Sequence, residues 1–448
     1  MKIAMIAMSG VRACDTELLA LGLTLPGFVE RSKTIASLPS LGLLTLAGMT
    51  PSEHQVSYIE VADLSQAKSL PTDFDLVLIS TFSAQAKEAY TLAQQFTARG
   101  TMVAIGGLHV TTCPDEPGEC GASAAVGEGE VIWGEILRDA QTGKLKPMYD
   151  ARGREFDLAQ SPMPSFEMLD ISRYNRLTVQ TSRGCPWRCS FCAASILLTS
   201  RYKQKPIEMV LAEIDAIRSL WRRPFVEFAD DNAFVNRAWW HEFLPKLAQR
   251  RVKWFAETDL SVAEDEELLS RMRDAGCAQV LIGFESPLEE GLNDLELRRN
   301  WKKQRFPRYR QTIERIQSHG IRVTACFVIG LDGHGPGIFD AVYDFAEQTA
   351  PFDVQVTYPT PFPGTPMYRQ FKADDRLLEE RAWEKCTLFD INFQPDRMSV
   401  DELRGGFHQL VQRLYSDDFT HYRKDNFRRR YLHRGTSASA PGHDNCCS

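Results

Sequence analysis

Two successive runs of alternating strand-like and helix-like segments restrict this chain more than any other feature of its sequence. In residues 1–142 the apolar runs "MKIAMIAM", "SLGLLTLAGM", "QVSYIEV", "DLVLIS" and "TMVAIGG" alternate with polar-apolar helical stretches such as "EAYTLAQQFTARG". Short β-rich runs separated by amphipathic helices make a parallel sheet covered on both faces. A Rossmann-like open parallel sheet is therefore expected over 1–142. In residues 175–367 the pattern repeats six times, with "LTVQTSR", "FVEFADD", "VKWFAET", "QVLIGFES", "RVTACFVIG" and "DVQVTYPTP" as the strands. Six such units suit a partial (β/α)6 barrel, whose chemistry gathers at the carboxyl ends of its strands. The fold class is α/β.

The segments between and after these runs are weaker in pattern. Residues 143–174 lack a sustained period and carry two prolines in "SPMPS", so they are expected to be a linker. Residues 368–435 read as a small helical C-terminal region, and 436–448, with Cys446 and Cys447, as a disordered tail. The opening "MKIAMIAMSG" has no charged n-region or cleavage site and reads as a buried strand, and no run reaches the ~18 apolar residues of a membrane span. A net charge of -7 argues against a general nucleic-acid grip, despite the basic run "NFRRRYLHR". "FPRYRQTIERIQSHG" reads as a solvated helix face. Eleven cysteines, odd in number and scattered, point to a reducing, cytoplasmic setting. Cys277 and Cys326 read as small core residues, and Trp239 and Trp240 as packing residues.

Chemistry enters with "TSRGCPWRCSFCAAS", where Cys185, Cys189 and Cys192 follow the first barrel strand directly. A structural zinc site takes four ligands, usually as two separated pairs, and no second pair lies nearby. Thiolates also suit iron-sulfur clusters, and three of them on one loop hold three irons of a four-iron cluster and leave the fourth open to a ligand. A second group of candidates lies at the strand ends of the first sheet, where ligands of such sheets bind. These are Ser80 and Thr81, Gly106 and Gly107, and Gly127, Glu128 and Gly129 of "GEGE". Glycines there admit positive φ and a close approach of the backbone to a bulky ligand.

The C-x-x-x-C-x-aromatic-C spacing, with Phe191 as the aromatic residue and Gly184 before it, resembles the signature of the radical S-adenosylmethionine (SAM) enzymes. The resemblance implies a 4Fe-4S cluster whose open iron chelates SAM, and an electron that splits the sulfonium to a 5'-deoxyadenosyl radical; the protein orients that radical. It also implies SAM contacts from Phe191, from Asp230 or Asp231 in "EFADDNAF", from Glu285 and Ser286 in "LIGFES", and from Ile329 and Gly330 in "CFVIGLDG". An external electron donor such as flavodoxin or ferredoxin follows in the same way.

The order of open sheet, linker and barrel resembles the cobalamin-binding subgroup of that superfamily, with "PSLGLLTLAG", "DLVLISTFS", "AIGGLHVT" and "AAVGEGE" as specific echoes. From "IGLDGHGP" to "TPFPGTPMY" the chain is most similar to hopanoid-methylase-like members. The subgroup implies cobalamin held by Ser80, Thr81, Gly106, Gly107, Gly127, Glu128 and Gly129. The Asp-x-His-x-x-Gly string that supplies a lower cobalt ligand elsewhere is absent, so the lower face is expected to lack a histidine; neither His109 nor Cys14 is favoured as a substitute. The implied activity is methylation of an unactivated carbon of a secondary metabolite or lipid. The alternatives are a radical cyclisation, ring contraction or rearrangement with the same cofactors, and a non-catalytic cobalamin or iron-sulfur sensor.

Overall fold

The computed structural model describes residues 1–21, 38–67, 70–193 and 201–432. The first sheet is parallel throughout, in the order β2-β1-β3-β4-β5-β6, with β1 Lys2–Met8, β2 Gln55–Val61, β3 Leu76–Ser80, β4 Met102–Gly106, β5 Ser123–Val126 and β6 Met148–Asp150. Strand order reverses at β1, which pairs with both β2 and β3, giving a 2-1-3-4-5 doubly wound arrangement. Successive β1 side chains enter opposite layers. Ala4, Ile6 and Met8 pack with Ala89, Leu92 and Phe96 of the helix Ala86–Thr97. Ile3, Met5 and Ala7 pack with Leu43 and Ala47 of the helix Leu41–Met49 and with Ile132 and Trp133 of the helix Gly129–Gln141. The apolar run "SLGLLTLAGM" is thus helical, begun by Ser40, whose side chain accepts from the Leu43 N–H.

The expected linker is not wholly irregular. Its residues Met148–Asp150 pair with β5 and extend the sheet by a strand. Three residues are too few to show a period, and their anchor is Tyr149, buried with its hydroxyl donating to Asp139 at 2.9 Å. Short 3-10 turns at Leu158–Gln160, Phe166–Met168 and Ile171–Arg173 carry the chain to the second sheet.

All six barrel strands expected from the sequence are present. The second sheet runs β14-β13-β12-β11-β10-β7, again parallel, with β7 Leu177–Val179, β10 Phe225–Phe228, β11 Lys253–Thr258, β12 Cys277–Glu285, β13 Arg322–Val328 and β14 Asp353–Thr357. A two-stranded hairpin, β8 Ser182–Arg183 with β9 Lys203–Gln204, closes the base of the cysteine loop. The outer layer is aromatic: Phe228, Phe234, Trp240 and Trp254 pack edge-on and tilted around one another.

The C-terminal region is less helical than expected. Helices Pro366–Ala373, Val400–Leu414 and Asp417–Phe427 bracket a mostly irregular stretch that reaches back to the first domain. There Trp383 donates its indole N–H to Glu116 at 3.1 Å, and Asp390 accepts from the backbone N–H groups of Cys14 and Asp15. Ser399 and Glu402 form a reciprocal cap on the Val400–Leu414 helix. The expected disordered tail lies outside the described residues. No helix among the described residues is long and apolar enough to cross a membrane.

Trp254 is fully buried and its indole N–H donates to Ala275 O at 2.9 Å. Trp254→Ala is expected to cost about 3–5 kcal/mol, read as a lowered denaturant midpoint for the barrel.

Candidate active site

The carboxyl ends of the second-sheet strands open onto a cavity of ≈ 430 Å³ that contains all three cysteines of the triplet. The turn that carries them is held from the adjacent strand end. Asp230 accepts from the backbone N–H groups of Thr181 (2.7 Å) and Ser182 (2.8 Å), and Asp231 from that of Gly184 (2.7 Å). Gly184 adopts φ +92°, a conformation that favours glycine. Beyond it, the Trp187 indole N–H and Asn232 Nδ2 both donate to Asp259, at 2.7 and 2.8 Å, and Asn232 Nδ2 also lies 3.7 Å from Cys185 Sγ. Cys189 forms an antiparallel bridge with Glu296.

Burial pushes the Cys185 thiol up to about 11 and the Cys189 thiol up to about 12. No disulfide joins any of the nine described cysteines. The three sulfurs are not gathered as a single zinc ion requires. Zn–S bonds of ~2.3 Å in a tetrahedron put sulfurs ~3.8 Å apart. Among the described residues only His109, Cys113 and Glu116 bring their ligand atoms within 4.8 Å of one another. Three thiols around one cavity are a donor set suited to a polynuclear cluster.

Of the expected SAM contacts, Phe191, Asp231 and Glu285 line this cavity. Asp230 does not; it lies beneath the turn, consumed by main-chain N–H groups. Ser286, Ile329 and Gly330 are also off the cavity. Ser286 is bonded to His334 Nε2 (2.9 Å) and Leu288 O (2.7 Å), Ile329 is fully buried, and Gly330 packs on Phe393 and Leu403. Cys326 and Val328 are the β13 residues that face in. The register shift in β12 between Gly283 and Glu285, with Glu285 at φ +64°, aims that carboxylate inward and turns Ser286 away.

Several lining residues carried no sequence signal. Lys302 is buried, paired with Glu285 and donating to Gly283 O at 3.0 Å. Burial works against its charge, but Glu285 holds it protonated. It sits in a basic run, where one cation turned inward is invisible. Glu257, next to the last residue of β11, has its carboxylate open to the cavity; desolvation within the site, then Glu227 and Asp231, push it up to about 7. Its strand end, "FAET", resembles the "GFES" of β12 and could have been marked on that ground. Cys326, expected in the core, also lines the cavity.

A second cavity, ≈ 310 Å³, lies at the carboxyl edge of the first sheet. Ser80, Gly106, Gly107, Gly127, Glu128 and Gly129 all line it. Thr81 is buried behind it: its carbonyl oxygen is 2.4 Å from where a Cβ on Gly107 (φ +112°) would stand, so no side chain is admissible there. The opposite wall is apolar, with Leu46, Ile132 and Trp133, while Gln180, Arg183 and Ala229 come from the barrel. Arg183 pairs with Glu128 (2.6 Å) and Glu130 (2.8 Å), and Lys203 with Glu128 (2.6 Å). Burial alone would raise the Glu128 carboxyl, but Lys203, the Phe156 N–H and Arg183 hold it below its ordinary range. Among the described residues, no histidine, cysteine or methionine lines this cavity. His109 lies outside it, fully buried, with Nδ1 3.1 Å from Ser83 Oγ and Nε2 3.0 Å from Glu116. Cys14 also lies outside, its thiol 3.5 Å from Glu384 O. Glycines on one side let the backbone approach a ligand closely, and the other side is apolar.

A loop of three thiols at the mouth of a parallel β/α half-barrel is the donor arrangement expected of an iron-sulfur site. Residues 179–346 match the Radical SAM superfamily, and residues 365–442 match a domain of unknown function, DUF4070. The chain is 28% identical over 390 residues to the bacteriochlorophyllide d C-12(1)-methyltransferase of Chlorobaculum tepidum, covering 84% of this chain and 82% of that one. It is 25% identical over 362 residues to the hopanoid C-2 methylase of Rhodopseudomonas palustris, covering 77% and 66%. Its fold is similar to that of the radical SAM methyltransferase TsrM from Kitasatospora setae, determined with cobalamin and a [4Fe-4S] cluster bound, with a TM-score of 0.65 at 15% identity over 93% of this chain and 89% of TsrM. The chain carries a Radical SAM domain over residues 179–346.

Burial raises the Asp230 carboxyl from 3.8 to about 6 against the hydrogen bonds that lower it. Between those values the unfolded chain holds fewer protons at this site, so stability falls as pH rises through the window. Asp230→Asn, neutral throughout, is expected to gain on the wild type in melting temperature from pH 3.8 to about 6 and to hold that gain above it.

Proposed function

We propose that the protein is a cobalamin-dependent radical SAM methyltransferase acting on an unactivated carbon of a small-molecule or lipid-like substrate. The observation that carries this reading is the shared wall between the two cavities. Arg183 lines the second, and the next residue, Gly184, gives its N–H to Asp231, which lines the first. A carrier in one cavity and a substrate in the other are therefore neighbours.

Cys185, Cys189 and Cys192 would hold a 4Fe-4S cluster, and the glycine-floored slot cobalamin. When bound, the cluster supplies the electron that splits SAM and cobalamin supplies a carrier for the methyl group. The chain's own residues orient and enclose. Asp231, with its carboxylate open to the cavity, is the partner for the methionine ammonium, since both oxygens of Asp230 are engaged by Thr181 and Ser182. Lys302, held charged beside Glu285, is the buried cation of the site. Trp187, Phe191, Leu281 and Val328 keep the walls apolar and limit water. The cytoplasm suits nine described cysteines without a disulfide.

Anaerobically reconstituted protein is expected to release 5'-deoxyadenosine and to pass label from methyl-labelled SAM to the substrate. Deoxyadenosine without transferred label would favour the cyclisation or rearrangement reading, and neither product the sensor. Cys185→Ala, Cys189→Ala and Cys192→Ala together should remove the cluster absorbance and deoxyadenosine release.

Glu128→Gln leaves Arg183 and Lys203 facing a neutral side chain beside the slot. An absorbance titration is expected to show hydroxocobalamin binding weakened about tenfold, ~1.4 kcal/mol.

A further inference from the structure

Residues 297–310, "LRRNWKKQRFPRYR", hold seven lysines and arginines and no aspartate or glutamate, in a chain whose net charge is -7. This segment is bolted to the cysteine loop. Ser190 N–H donates to Leu295 O at 2.8 Å, Leu297 N–H donates to Arg188 O at 3.0 Å, and Cys189 bridges Glu296 between them. The buried Glu296 carboxylate accepts from the backbone N–H groups of Arg188 (3.2 Å), Arg298 (3.1 Å) and Arg299 (2.8 Å), tying both sides of the junction to one group. Trp301 stacks on the cavity-lining Trp187, ring centroids 4.3 Å apart.

The outer side of this junction is apolar at its centre and cationic around it. Leu297 is 50% exposed, Arg298 and Arg299 are exposed, and Arg188 is half-buried. Among the described residues, Arg188, Arg298 and Arg299 form no ion pair, whereas Arg305 and Arg308 farther along are paired with Glu264 and Lys303 with Glu289. Unpaired guanidinium groups around an exposed leucine steer and seat an oppositely charged protein surface.

We propose that the face formed by Arg188, Leu297, Arg298 and Arg299 docks a small acidic one-electron carrier protein that reduces the cluster. The proposal rests on the iron-sulfur reading above. In the transfer the carrier is oxidised by one electron and the cluster held by the three cysteines is reduced by one, with no bond made or broken and no proton exchanged. The electron enters beside Cys189, whose backbone is one bridge away from the docking surface.

The test uses cluster-loaded protein and reduced flavodoxin as the probe at low ionic strength, following the bleaching of the cluster's visible absorbance. The double variant Arg298→Glu, Arg299→Glu is expected to slow reduction by flavodoxin about tenfold or more, to lose most of its salt dependence, and to stay within about twofold of the wild type when dithionite is the reductant. Arg310→Glu, at the far end of the run, should change neither rate by more than about twofold. Equal flavodoxin rates in the double variant and the wild type would overturn the proposal, as would a wild-type face that retains a DNA duplex but not flavodoxin. A wild-type chain that develops no visible absorbance before any carrier is added overturns the iron-sulfur reading, and the docking face with it.

Discussion

Two carboxylates at the end of β10 hold the rest of the site in place. The turn after β7 must leave the sheet, and its N–H groups would be orphaned at the barrel mouth, where burying an unpaired donor is costly. Val179 and Phe228 are register partners in parallel strands, so the next residues of both chains emerge side by side. Asp230 and Asp231 therefore meet the N–H groups of Thr181, Ser182 and Gly184 at hydrogen-bond distance. Burial pushes both carboxyls up, and these N–H groups offset that cost. The cysteine loop begins from a fixed point because one strand end lends its acids to its neighbour.

A second electrostatic junction sets the barrel against the first domain. The hairpin at the base of the cysteine loop brings one cation from each strand, Arg183 and Lys203, to a single carboxylate, Glu128. Buried ion pairs of this kind add little net stability, because desolvation takes back most of the attraction. What they add is registry: the fork of Arg183 spans Glu128 and Glu130, so the glycine-floored slot and the cysteine loop share one angular reference.

The sequence showed the parts of the molecule that depend on period and spacing. All six strands of the barrel, the position of the cysteines after the first of them, and the glycine ends of β4 and β5 follow from patterns of two to a dozen residues. β6 was missed because three residues have no period. The apolar "SLGLLTLAGM" is equally apolar on all sides as a helix or a strand, and its cap, Ser40, decides the matter in three dimensions. The choice between Asp230 and Asp231 was open because adjacent strand-end residues point in different directions, and only the position of the neighbouring turn shows which is consumed. Ser286, Ile329 and Gly330 were placed on the cavity by motif register, which the shift in β12 and the packing of Gly330 against Leu403 do not follow. Lys302 was hidden for the opposite reason: its charge belonged to a run that is otherwise outside.

The first cavity also states what it expects to receive, without any motif. Asn232 Oδ1, Gln355 Oε1 and the Tyr358 hydroxyl are buried without a hydrogen-bond partner, and all three residues line it. The Glu257 carboxylate, open to the same space, has no hydrogen bond or ion pair among the described residues. Each of the three buried groups costs of the order of 1–3 kcal/mol when left unpaired, and such a concentration in one place is sustained when a ligand supplies the missing partners. An ammonium group and a ribose diol are such partners, and both belong to S-adenosylmethionine. Three thiols and these unpaired acceptors line one cavity, a combination that suits a molecule with a chelating head and a hydroxylated body.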